Sequence, residues 1–170
     1  MIQTLSTALL PILMIVAALS DLTSFRIPNW LTGLTALLFF PMAWLTGMPL
    51  GEFGWHLLAG GILFAAGFAL FSFGVFGGGD AKMMAAAGLW FGTAQTMPFL
   101  VATVFAGGIL AAAVALWSMF MAVVDIHGPN EDAGLVKVAR KIKPKLPYGF
   151  ALAVGAIVTY PHTWWMAGGA

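Results

Sequence analysis

The sequence predicts an all-α membrane protein, a single domain over residues 1–170 with six transmembrane helices and a short cytoplasmic amphipathic helix between helices 5 and 6. Three observations carry this. Of 170 residues, 61% are hydrophobic and only 8% charged, where an average soluble domain carries about 25% charged residues. The apolar residues form continuous Ala/Leu/Phe-rich runs, not the alternating segments of about ten residues that build a spanning barrel. At roughly 20 residues per span, the length accommodates about six. Cysteine is absent, which excludes a disulfide framework, a thiolate zinc site and a cysteine nucleophile. A net charge of +1 does not suit a nucleic-acid binder.

The first run, Leu5 to Leu19, stops at Ser20-Asp21. Met1 to Thr4 lack the positive charge of a signal-peptide n-region, so the run reads as a span. The second, Trp30 to Thr46, follows Ile27-Pro28-Asn29 and contains Pro41, a kink that neighbouring helices can accommodate. A loop from Gly47 to Gly54 has Glu52 as its one charge. The third run, Trp55 to Phe76, has Gly74 in its interior, and Gly77-Gly78-Gly79-Asp80-Ala81-Lys82 reads as a glycine turn ending in charge. The fourth is short, Met83 to Thr93. An outer loop over Gly92–Met97 leads to the fifth, Pro98 to Val124, and the last is Tyr148 to Met166.

The polar stretch Asp125 to Pro147 has helical periodicity. Leu135, Val136, Val138, Ala139 and Ile142 share one arc and Lys137, Arg140 and Lys141 lie opposite. Asn130 suits an N-cap, with Glu131 and Asp132 in the first turn. Such a helix would lie on an anionic membrane face; a solvated loop is the alternative. With six spans, all seven Lys and Arg residues fall on one side: Arg26, Lys82, and five between the fifth and sixth runs. That side is cytoplasmic by the positive-inside rule, which puts both termini outside.

Of the six acids, Asp125, Glu131 and Asp132 lie in the cytoplasmic stretch and Glu52 outside. Asp21 and Asp80 each sit at the cytoplasmic end of an apolar run, where an acid is costly and a functional role is the default hypothesis. If helices one and four touch, the carboxylates meet. Two close carboxylates do not both ionise easily. A shared proton leaves one base to activate water and one acid to protonate a carbonyl oxygen, the apparatus of an aspartic protease. The competing reading makes Asp80 a helix cap and Asp21 a partner of Arg26 or Lys82. The three glycines before Asp80 favour function, since they let another backbone approach closely.

Phe76-Gly77-Gly78-Gly79-Asp80-Ala81-Lys82 matches the Gly-x-Gly-Asp signature of intramembrane aspartic proteases. Asp21 followed by Arg26-Ile27-Pro28-Asn29 resembles the first catalytic Asp of type IV prepilin peptidases and its downstream Ile-Pro-Asn. Leu146-Pro147-Tyr148-Gly149 is similar to the segment opening that family's last helix. The three matches occur in the family's order, and the resemblance covers essentially the whole chain. It implies catalysis by Asp21 and Asp80, with Gly77, Gly79, Lys82, Pro28, Asn29, Pro147, Tyr148 and Gly149 supporting the site or the substrate. No metal and no cofactor is implied. The implied partner is a prepilin with a short basic leader and a hydrophobic helix, cleaved at the cytoplasmic face of the bacterial inner membrane. Larger family members carry a cysteine-bearing N-terminal region with methyltransferase activity. This chain has no cysteine and resembles the minimal peptidases of Tad/Flp pilus systems.

Other proteases bearing Gly-x-Gly-Asp, such as preflagellin peptidases, are a near alternative. A small proton or cation transporter using the two acids is a distant one. His56, His127 and His162 are scattered and indicate no metal site. Trp30, Trp44, Trp55, Trp90, Trp164 and Trp165 lie near helix ends, as an interfacial aromatic belt would place them.

Overall fold

The computed structural model describes residues 2–126 and 146–167. The order is α1 (Ile2–Ser24), α2 (Asn29–Leu45), α3 (Leu50–Ser72), α4 (Gly78–Ile126) and α5 (Tyr148–Thr159), closed by a 3₁₀ turn over Tyr160–His162. No strand occurs among the described residues. The chain divides into two compact units, Met1–Gly107 with Pro147–Ala170, and Gly108–Leu146. The amphipathic helix expected within Asp125–Pro147 lies outside the described residues, as do His127 and the cations from Lys137 to Lys145.

Three helices are long and apolar enough to cross a membrane: Thr4–Ser24, Leu50–Ser72 and Gly78–Met121, with Asn29–Leu45 a shorter apolar helix. Large apolar side chains such as Leu37, Ile62, Phe64 and Val104 face outward. Soluble proteins seldom expose so much apolar surface; a bilayer covers it without cost.

The fourth and fifth runs form one element, α4, interrupted at Gly92 (φ 62°, ψ 176°). Phe91 and Phe99 stack across the break with centroids 4.6 Å apart. Eight residues of unbroken helix would separate them by about 12 Å along the axis, so the chain turns back sharply at Gly92. The outer loop expected over Gly92–Met97 is thus reduced to a single non-helical residue. A Cβ at Gly92 would lie 2.9 Å from His56 Nε2.

A helix that ends inside a protein leaves carbonyls without partners. Here, ring N–H groups satisfy two of them. His56 Nδ1 lies 2.6 Å from the Leu89 carbonyl, an acceptor, so Nδ1 carries the proton. Trp165 Nε1 donates to the Trp90 carbonyl at 2.6 Å, and Trp90 Nε1 donates to the Thr35 carbonyl at 2.9 Å. Phe39 packs against His56, Trp90 and Trp165. Trp90 and Trp165 are therefore buried core residues, not belt residues, while Trp30, Trp44 and Trp55 are exposed. α1 packs on α5, and the Tyr160 hydroxyl donates to the Ser6 carbonyl.

Several boundaries differ from expectation. α1 continues past Asp21 to Ser24, with Thr23 and Ser24 hydroxyls bonded back to the Leu19 and Ser20 carbonyls. α3 starts at Leu50 because Pro49 sets the extended N-cap conformation and Glu52 falls in the first turn, where an acid is favoured. It ends at Ser72, and Gly74 (φ 72°) lies beyond it in the terminating turn. There the Val75 amide bonds the Leu70 carbonyl. α4 begins at Gly78, so most of the expected glycine turn is its first helical turn. α5 stops at Thr159, where Pro161 cannot donate to a continuing helix.

Candidate active site

Asp21 lies in the last turn of α1. The Phe25 amide bonds the Asp21 carbonyl at 2.8 Å, and Phe25 takes φ 51° to leave the helix. Ser20 and Ser24 hydroxyls donate to the Arg26 carbonyl at 2.9 and 3.3 Å. This pins the turn and delivers Ile27, 6% exposed, to the interior. Pro28 then takes the N-cap position of α2, and its carbonyl accepts the Leu31 and Thr32 amides.

Pro147 holds the N-cap of α5 without a side-chain cap. Asp21 supplies one from another helix: the Gly149 amide donates to Asp21 Oδ2 at 2.6 Å. Negative charge is favoured at a helix start, where amides are free. Residue 149 must be small, since a Cβ there would lie 2.9 Å from Asp21 Oδ2 and 2.8 Å from Ile27 Cδ1.

Asp80 is the third residue of α4. Its Oδ2 accepts the Gly77 amide at 3.2 Å, the third-residue half of a capping box. The Ala81 amide bonds the Gly77 carbonyl at 3.1 Å, which closes the first turn. A Cβ at Gly79 would lie 2.8 Å from the Ile27 carbonyl oxygen and 3.2 Å from the Ile27 nitrogen. The space above Gly79 is thus occupied by Ile27 backbone.

Ile27 therefore contacts the first turns of both α4 and α5, the turns that carry Asp80 and receive Asp21. The two aspartates are 3% and 9% exposed. Around them, Lys82 Nζ donates to Asn29 Oδ1 at 2.8 Å, so Lys82 turns to an amide. The Phe76 and Tyr148 rings meet with centroids 5.1 Å apart. The candidate residues thus gather on the starts of α2, α4 and α5 and the end of α1. Ile27 was not among the expected site residues. Its position between Asp21 and Pro28-Asn29 was the available signal, but an isolated apolar residue in an apolar chain carries little.

A sequence model of the type IV leader peptidase family matches residues 8–112. No curated protein and no solved structure matches the chain. The matched segment includes Asp21, Pro28-Asn29 and the glycine turn through Lys82, and stops short of Pro147–Gly149.

Proposed function

The chain belongs to the type IV leader peptidase family, and from that premise we propose that it is an aspartic endopeptidase using Asp21 and Asp80 to remove the basic leader of a Flp-type prepilin. The supporting observation is the burial of two acids whose helix turns both bear on Ile27. A helix cap needs only an oxygen acceptor, and Ser or Asn would serve. Two neighbouring carboxylates in an apolar bundle cost stability that capping does not require. A pair sharing a proton accounts for that cost.

In this reading one carboxylate takes a proton from water as its oxygen attacks the scissile carbonyl carbon. The other gives its proton to the carbonyl oxygen. Collapse of the tetrahedral intermediate breaks the C–N bond: the departing amine takes a proton from the carboxyl that had accepted water's, and the diol returns a proton to the other carboxylate, so the pair again holds one proton. The substrate must be extended at the cut, because a helical peptide keeps its carbonyl bonded internally.

The whole chain serves as one peptidase domain with six spans. The turn at Gly92 supplies the reversal between the fourth and fifth, and α2 and α5 complete the count. The cations then face the cytoplasm, where a basic leader stays while the pilin helix lies in the bilayer, so the cut falls at the depth of the two acids. No cofactor enters the scheme.

The test is incubation of the purified protein in detergent with Flp-type prepilin and with preflagellin. Release of the prepilin leader, with the mature chain starting directly after the leader's terminal Gly, supports the proposal. Cleavage of preflagellin alone would replace it with the near alternative.

A further inference from the structure

Beside the acid pair, an open groove of about 510 Å³ runs between α2, α3 and the first half of α4. Its walls are apolar, and the α4 wall is Lys82, Ala85, Ala86 and Leu89. These positions are three, four and seven apart, one helix face about 10 Å long. Lys82 stands at one end. Its hydrogen bond to Asn29 leaves its charge unneutralised, and it pairs with no carboxylate among the described residues. An ammonium at the head of an apolar groove is complementary to an amphiphile with an anionic head.

From this geometry we infer that the groove binds an anionic phospholipid, with an acyl chain along Gly33, Gly61 and Ala86 and the headgroup phosphate on Lys82. Charge favours a lipid over the substrate, whose basic leader would meet like charge at Lys82. The inference goes beyond the peptidase reading and needs only that the protein sits in a bilayer.

A Cβ at Gly33 or Gly61 meets nothing within 4 Å, so a side chain at either position can start into the groove. The test is native mass spectrometry of delipidated protein in detergent, with phosphatidylglycerol and phosphatidylcholine of identical acyl chains in competition. The parent is expected to retain phosphatidylglycerol about fivefold over phosphatidylcholine, the preference one cation confers at a headgroup. Lys82→Arg keeps the preference and Lys82→Met abolishes it. Gly61→Phe, which fills the groove, loses retention of both lipids at unchanged helix content. Equal retention by the parent, or a preference that survives in Lys82→Met, would overturn the assignment.

Discussion

The Gly149 amide donates to Asp21 Oδ2 at 2.6 Å across 128 positions of sequence, so an acid near the start of the chain caps the last α-helix. That bond sets the separation of α1 and α5 at the site and leaves no room for a side chain at position 149. Gly149→Ala is expected to push Asp21 and Ile27 aside. It should lower cleavage at least tenfold while destabilising the protein by about 1–3 kcal/mol, the usual cost of overpacking. Cleavage per molecule and thermal melting in detergent separate the two effects. Parental activity would show that the Asp21–Gly149 spacing is not critical.

Gly79→Val is expected to be inactive with both acids present. The added carbons run into the Ile27 backbone, which cannot turn away as a side-chain tip could, so Asp80 shifts with its helix. Gly74, with φ 72°, is an unsuitable control because alanine there is strained. Gly54, inside α3 with nothing near its Cβ, is suitable, and Gly54→Ala should cleave at the parental rate. The assay compares equal amounts of folded protein in the membrane. Full activity in Gly79→Val would make the Gly79–Ile27 contact irrelevant to the site.

His56→Phe should preserve ring packing against Phe39 and Trp165 but leave the Leu89 carbonyl unpaired. A buried unsatisfied acceptor costs about 1–3 kcal/mol, read as a drop of several degrees in Tm with cleavage of the remaining folded protein unchanged. An unaltered Tm would show that the Leu89 carbonyl finds another partner.

In the proposed six-span topology, alkaline phosphatase fused at Asn130 should be inactive and at the C-terminus active, because the positive-inside rule assigns the cation-bearing side to the cytoplasm. Activity at Asn130 would reverse the topology and move the acid pair to the outer face.

Asp21 and Asp80 stand out in the sequence because polarity inside an apolar run has few bland explanations, and in the structure they accept the Gly149 and Gly77 amides. Less legible were features whose meaning lies in a distant partner. His56 looked isolated until it met the Leu89 carbonyl, and Trp90 and Trp165 resembled interfacial residues until each found a carbonyl in the core. The end of α1 was hidden because Thr23 and Ser24 satisfy their hydroxyls on the helix's own carbonyls, so a polar cluster did not stop it. Gly92 is one glycine in a 49-residue helix, and only the stacking of Phe91 on Phe99 reveals that the chain turns there.

The central claim, that Asp21 and Asp80 are chemistry and not merely caps, is tested most directly by prepilin cleavage in Asp21→Asn, Asp80→Asn and the double variant. Asparagine keeps an oxygen to accept the Gly149 or Gly77 amide, so each variant should melt close to the parent. It cannot share the proton, so each single variant should lose at least about 100-fold in rate, as removal of a general acid or base does. The double variant should be little worse, because the pair acts as a unit. Cleavage near the parental rate in either single variant, at equal folded protein, would contradict the account and return that acid to a purely structural role.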